Sequence, residues 1–146
     1  MSRFLIKRLP GTLLSMLISM ATMPVLAAAP AVGTLEVVAE LPIRPGNVTA
    51  TRDGRVFATV HPLDKPSGVQ LMEVTAPDSY RPWPNSSYQS DAGTRSDERI
   101  DTPLGIAQDT KGRLWITDMG LNLGKTRLWA FDIASGRLEN KIELPA

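Results

Sequence analysis

The sequence contains no cysteine, and this absence excludes several kinds of site. Disulfide bonds, thiolate metal ligands, a cysteine nucleophile and a lipid-anchoring cysteine all require that residue. Histidine is almost as scarce, since the chain has 1 among 146 residues, and a zinc site built from several histidines is therefore excluded. The formal net charge is only +1. This balance provides no electrostatic basis for binding nucleic acid, which requires a basic patch or stripe.

The N-terminal segment has the pattern of a secretory signal peptide. A basic head precedes an apolar stretch from Thr12 to Leu26, and alanines follow it. Val25 and Ala27 suit the recognition positions of a signal peptidase, so we expect residues 1–27 to be removed. The alternative is a membrane anchor, but the apolar stretch is shorter than the ~20 residues that a span needs. We therefore expect a secreted or periplasmic protein without a stable membrane anchor.

Short apolar runs separated by turn residues dominate the chain after Ala31, and amphipathic helical periodicity is hard to find. This pattern predicts an all-β domain over residues 28–146. Asp53-Gly54 and residues 109–112 predict tight turns, because glycine tolerates a positive φ. Residues 77–101 are rich in Pro, Ser, Asp and Arg and predict a long, partly exposed loop. The predicted strands are Leu35–Leu41, Asn47–Thr51, Arg55–Val60, Val69–Val74, Ile106–Gln108, Arg113–Thr117, Arg127–Ile133 and Leu138–Leu144.

The chain repeats itself with a period of 58 residues. When Gly54 is superposed on Gly112, matches run through the adjoining strands, and one deletion extends them to the next strand. Each unit then holds four antiparallel strands, which is typical of a β-propeller blade. We predict blade units at about residues 36–93 and 94–146, with a generic β-sandwich as the alternative. The matched pairs are Pro45 with Pro103, Val48 with Ile106, Arg55 with Arg113, Val56 with Leu114, Phe57 with Trp115, Thr59 with Thr117, Leu71 with Leu128 and Val74 with Phe131.

Two units are fewer than a closed propeller contains, since propellers are built from about four to eight blades. A blade cannot bury both of its faces alone and needs a neighbour on each side. We therefore expect the chain to be the N-terminal piece of a longer propeller, or to assemble with further copies. On the first interpretation the rest of the propeller is missing.

Several segments carry a specific order and spacing of motifs. They are Gly54–Thr59, the Pro-aromatic-Pro-Asn element at Pro82–Asn85, and Gly105–Gly120 followed by Arg127–Asp132. In these segments the chain resembles the yellow/major royal jelly protein family over residues 36–146. The resemblance implies a six-bladed propeller, of which about two blades are present here. It also implies secretion in insects and export in bacteria.

The resemblance implies no single chemistry. Insect relatives include pigment-pathway, amine-binding salivary and nutritive proteins, and bacterial relatives are similar to dopachrome-tautomerase-related or gluconolactonase-like proteins. Insect members usually have a cysteine where this chain has Lys111, which places the chain with the bacterial relatives. Two hypotheses remain open. The first is an exported module that binds a small aromatic or amine-type ligand in its channel. The second is an enzyme, either an isomerase of a catechol-derived quinone or a metal-dependent lactonase that uses calcium or zinc.

Four residues are candidates for a site. Asn47, at the start of an inner strand, is either a channel-facing ligand or calcium donor, or a turn residue after Pro45-Gly46. Trp83 lines a ligand site or packs its loop onto the sheet. Asp118 is an acid or metal ligand, or else accepts backbone N–H groups in its turn. His61 is a base at the mouth of a site, or simply exposed.

Acidic residues outside these positions give weaker signals. Asp97, Glu98 and Asp101 form a cluster that could hold calcium or could be solvated loop charge. Asp132 has the position of a turn cap. Related lactonases place an acidic metal ligand at the start of an inner strand, where this chain has Asn47, so lactonase chemistry is the weaker expectation.

Overall fold

The computed structural model describes residues 32–66, 68–91 and 93–145. Over these residues the chain is all-β, as predicted, and consists of two four-stranded antiparallel sheets. The only helices in this part of the chain are single 3-10 turns at Pro62–Asp64 and Ser86–Tyr88. The first sheet contains β1 (Pro45–Ala50), β2 (Val56–Val60), β3 (Leu71–Ala76) and β4 (Ser79–Pro82), and the second contains β5 (Pro103–Gln108), β6 (Arg113–Asp118), β7 (Arg127–Asp132) and β8 (Leu138–Glu143).

The structure bears on only part of the export prediction. The predicted signal peptide, residues 1–27, lies outside the described residues. Within the described residues, no helix has both the length and the apolar character needed to cross a bilayer.

The two sheets have the same strand order and the same register, 58 residues apart. In the first sheet Thr49 pairs with Phe57, and in the second Ala107 pairs with Trp115. A register shift follows the first residue of both β1 and β5. The repeat predicted from the sequence is therefore confirmed strand by strand. The sheets do not close on one another, so the propeller itself stays a prediction.

The turns between the first two strands of each sheet are also equivalent. The Thr51 N–H donates to the carbonyl of Arg55 over 2.8 Å, and the corresponding bond 58 residues later measures 3.0 Å. Gly54 and Gly112 have φ values of +86° and +77°. These angles lie in the left-handed region that glycine adopts without steric cost, so both predicted turns are confirmed.

The predicted strand Leu35–Leu41 is wrong. Those residues pair with neither sheet, although the Glu40 N–H donates to the carbonyl of Pro77 over 2.7 Å. Leu35, Val37 and Val38 are exposed. Apolar, β-branched residues favour an extended chain, but a strand also needs a hydrogen-bonding neighbour, and none lies beside these residues in the described structure.

Strand β4 is a second correction, because it lies inside residues 77–101, which the sequence predicts to be a loop. This edge strand has four residues and ends at Pro82. Tyr80 pairs with Val74, and Arg81 pairs with Glu73. A short strand with a proline is tolerated at a sheet edge because one side of an edge strand needs no ladder bonds, and such a strand leaves a weak sequence pattern.

The main core lies where one face of the first sheet packs against the second sheet. A smaller cluster on the opposite face of the first sheet contains Ala58, Val60 and Met72, against which Leu41 and Ile43 pack. The main core contains Phe57, Leu71, Trp83, Ile100, Leu114, Ile116, Trp129, Phe131 and Ile133.

Candidate functional site

Three connections meet at one end of the two sheets, which we call the loop end: residues 61–70, 83–102 and 119–126. The inner strands β1 and β5 both begin at this end, where Pro45 pairs with Val60 and Pro103 pairs with Asp118. A cavity of about 390 Å³ lies between the three connections. Its lining consists of Pro62, Lys65, Pro66, Asp91, Gly93, Asp101, Thr102, Leu121 and Asn122.

The cavity wall is held in place by hydrogen bonds between loops. The carboxylate of Asp101 accepts from the backbone N–H and the side-chain amide of Asn122, over 2.9 and 2.7 Å, and from the Leu123 N–H over 3.0 Å. The Thr102 hydroxyl oxygen accepts from the Leu121 N–H over 2.8 Å. These bonds fasten the connection before β5 to the connection after β6, so the cavity has a defined wall on that side.

Asp118 lies beneath this wall and is fully buried. Its two oxygens accept backbone N–H groups from Asp101, Thr102 and Gly120 over 2.8 to 3.2 Å. The Arg127 guanidinium donates to Oδ2 over 2.7 Å, and the indole N–H of Trp129 donates to the same oxygen over 3.1 Å. Five donors saturate the carboxylate, so its geometry favours the structural alternative in which Asp118 holds a turn.

Arg127 is the partner of Asp118 and is equally buried, with 1% of its side chain exposed. Its guanidinium also donates to the carbonyls of Asp97 and Arg99, both over 2.9 Å, and lies 4.9 Å from the ring centre of Trp129. A buried charge is tolerated when it is paired and hydrogen-bonded. The Asp118–Arg127 pair therefore anchors residues 97–102, which lead into β5.

Asn47 lies on the exposed side of β1 and links the inner strands. Its side-chain amide donates to the carbonyl of Leu104 over 2.8 Å, and its backbone N–H donates to the Thr59 hydroxyl over 3.0 Å. The Thr59 hydroxyl in turn donates to the same Leu104 carbonyl over 2.9 Å. Asn47 is thus next to the neighbouring sheet, as expected of an inner-strand residue, but it is not part of the cavity wall.

His61 caps the 3-10 turn that follows β2. Its Nδ1 accepts from the Leu63 N–H over 3.2 Å, and its backbone N–H donates to the carbonyl of Arg44 over 3.0 Å. Because Nδ1 accepts, Nε2 carries the ring hydrogen in this geometry. His61 directly precedes Pro62 of the cavity wall, so it is close to the site without lining it.

Trp83 is 3% exposed and lies in the main core rather than at the cavity. Its ring meets Phe57 edge-on, with centroids 4.9 Å apart, and Phe131 edge-on, with centroids 5.6 Å apart. These contacts join β2 of the first sheet to β7 of the second. The position favours packing, the second of the two interpretations of this residue.

The acidic residues at the loop end do not form a calcium site. Asp97 lies near Lys125 and Arg127, Glu98 accepts from the Ser96 hydroxyl over 2.9 Å, and Asp101 is turned toward Asn122. The bond from Ser96 lowers the pKa of Glu98. Among the described residues, no three carboxylate or imidazole side chains converge as metal ligands would. The donor set present therefore does not fit calcium.

The structure thus separates the residues that the sequence singled out. Only Asp101 of the acidic cluster lines the cavity, and Asn47, His61, Trp83 and Asp118 surround it at different depths. The sequence did not indicate Lys65, Asp91, Thr102 or Asn122. A signal was available, since these residues belong to the connections at one end of a predicted repeat, and loops at one end of a rigid scaffold often carry function.

Comparisons with known proteins add no identification. No family model matches the chain, and no curated protein matches it. The resemblance to the yellow/major royal jelly family therefore stays a prediction from the sequence motifs.

Proposed function

We propose that the two sheets are consecutive blades of a β-propeller of the yellow/major royal jelly type, and that the protein binds a small amine with an aromatic or apolar body at the loop end. The shared register of the two sheets supports the blades. So does the bond between inner strands, where Asn47 and Thr59 both donate to the Leu104 carbonyl. In a propeller the innermost strands surround a central channel, which is a frequent ligand site.

The observation that carries the binding proposal is the cavity of about 390 Å³ at the end where both inner strands begin. Its volume lies within the range of small-molecule pockets, about 300–1,000 Å³. Pro62, Pro66 and Leu121 supply apolar surface, and Thr102 and Asn122 supply polar groups. A mostly apolar wall with a few polar groups is the usual form of a ligand pocket.

The charges of the wall favour a cationic ligand. Two carboxylates, those of Asp91 and Asp101, face one ammonium group, that of Lys65. The excess of negative charge attracts a protonated amine and repels an anion. The apolar surface of Leu121 and the two prolines would accommodate the body of such a ligand.

Dopamine and catechol test this proposal, because they share a ring and differ in the amine. In calorimetric titrations with the full chain we expect dopamine to bind more tightly than catechol. Asp91→Asn should weaken dopamine binding about two- to fivefold, the effect of one partly exposed ion pair, and leave catechol binding unchanged. Glu143→Gln on β8 is the matched control and should alter neither. Equal affinities for the two compounds, or an unchanged dopamine affinity in Asp91→Asn, would contradict the proposal.

Export is also part of the proposal. The basic head, the apolar stretch and the alanines of residues 1–29 support delivery to the periplasm or the exterior with residues 1–27 removed.

A further inference from the structure

One face of the second sheet points away from the first sheet, and we call it the outer face. Strand register defines it: Trp115 pairs with Ala130, and Thr117 pairs with Leu128. Leu128 in turn pairs with Ile142 on β8. The alternate residues of β6, Leu114 and Ile116, belong to the core between the sheets. The outer face consists of Arg113, Trp115, Thr117, Leu128, Ala130 and Ile142.

The outer face is the register equivalent of the face that the first sheet packs against the second. Phe57 corresponds to Trp115, and Leu71 corresponds to Leu128. The likeness includes the neighbouring arginine: the Arg55 guanidinium lies 4.8 Å from the centre of the Phe57 ring, and the corresponding arginine lies 5.0 Å from that of Trp115. The same design of packing face is thus present twice.

The two copies differ in what covers them. Phe57 and Leu71 are fully buried, because the second sheet lies over them. Trp115 and Leu128 are only half-buried, and among the described residues neither belongs to a buried cluster. Ile142 on the same face is 43% exposed. A built packing face is therefore left open on the second sheet.

We propose that the outer face docks a further four-stranded antiparallel sheet, in the same way that the first sheet docks the second. The occupant is identified by the interface already present: it offers large aliphatic and aromatic residues at the positions of Leu114, Ile116 and Phe131. The inference depends on the repeat architecture and on no ligand, so it can fail or succeed independently of amine binding.

A second copy of this chain does not offer such a surface. The corresponding face of the first sheet carries Ala58, Val60 and Met72, and it is already covered by Leu41 and Ile43. Docking there would require the segment containing Leu41 and Ile43 to leave. The occupant is therefore a third repeat of the same kind as the second sheet.

An extended chain tests the proposal. Residues 83–145 are appended directly after Lys141, because Lys141 pairs with Trp129 as Pro82 pairs with Met72 and so occupies the same place in its sheet. The appended copy carries Trp115→Phe. Since Trp83 and Trp129 are buried, the original Trp115 is then the tryptophan most open to solvent. Acrylamide quenching of its fluorescence should be largely lost in the extended chain and retained in the 146-residue chain.

The control places Leu128→Asp on the original outer face, where the side chain is half-buried, so that the second sheet can still fold. Circular dichroism checks that folding in the 146-residue chain. Quenching of Trp115 should return in the extended Leu128→Asp chain. Equal quenching in the extended and the 146-residue chains would overturn the proposal. So would a dimer of the 146-residue chain in sedimentation velocity that Leu128→Asp dissociates, because a second copy would then be the occupant.

Discussion

The two sheets share one register but fasten the connection between them by different chemistry. Gln70 in the first sheet corresponds to Arg127 in the second, and Val60 corresponds to Asp118. Gln70 is buried and accepts from the Ser90 N–H over 2.6 Å, and its amide donates to the carbonyls of Pro66 and Ser90. The second sheet holds the same connection with a buried ion pair. Equivalent positions thus do the same work with a neutral amide in one repeat and with charges in the other.

The comparison predicts its largest effect at the buried pair. Asp118→Ala leaves the Arg127 guanidinium buried and without its counter-charge, so the free energy of unfolding should fall by about 3–5 kcal/mol. Urea denaturation followed by tryptophan fluorescence measures the change. The matched variant is Gln70→Ala, which removes neutral hydrogen bonds and should cost about 1–3 kcal/mol. A loss in Asp118→Ala no greater than in Gln70→Ala would break the comparison.

A second difference gives the first sheet its own dependence on pH. Glu73 is 8% exposed and pairs with Arg55 over 2.7 Å and Arg81 over 2.6 Å, whereas the second sheet has Ala130 at the equivalent place. Burial alone would raise the pKa of Glu73, but the hydrogen bonds from the two arginines outweigh it and lower that pKa below its ordinary value of 4.5. The stabilisation is therefore complete above pH 4.5 and disappears as the pH falls through the lowered pKa.

Glu73→Gln tests this dependence. At pH 7 the variant should lose about 1 kcal/mol of unfolding free energy, because hydrogen bonds to a charged acceptor are replaced by weaker ones. The difference from the unmodified chain should shrink in acid, as measured by urea denaturation across the acid range. Glu143→Gln, whose carboxylate is 57% exposed, serves as the control and should change stability little. A difference that stays constant down to the acid end would argue against the clamp.

The smallest effect is expected where the two sheets meet at their inner strands. Asn47→Ala removes one exposed hydrogen bond to the Leu104 carbonyl and should cost about 0.5–1.5 kcal/mol. Thr59→Val should cost more, because the Thr59 hydroxyl is buried and both accepts from Asn47 and donates to Leu104. Thermal unfolding of the two variants gives the order. The reverse order would mean that Asn47 does more than join the strands.

Local residue chemistry accounted for much of the fold. The glycines at positions 54 and 112 placed the turns, and matching residues 58 positions apart located equivalent strands. The alternation in β6 between buried Leu114 and Ile116 and half-buried Trp115 follows the period of two that a strand imposes on its side chains. Strand β4 escaped because four residues that include a proline carry almost no such pattern.

The candidate site was much less accessible from the sequence. Its wall brings together residues from three connections, such as Lys65, Asp101 and Asn122, that lie tens of positions apart. The sequence indicated single residues at strand ends, and it left open whether Trp83 packs or lines a site. Only the approach of the two sheets placed that ring between Phe57 and Phe131.

The sequence by itself determined the class of fold, the repeat and its period, because turns and strand faces depend on residues close together in the chain. Tertiary structure alone decided which apolar segments found a partner, how Asp118 and Arg127 neutralise each other, and where a cavity remains. Those outcomes depend on hydrogen-bonding neighbours, burial and counter-charges supplied by distant parts of the chain. Leu35–Leu41 shows the limit: its residues favour an extended strand, but the described structure provides no sheet edge beside it.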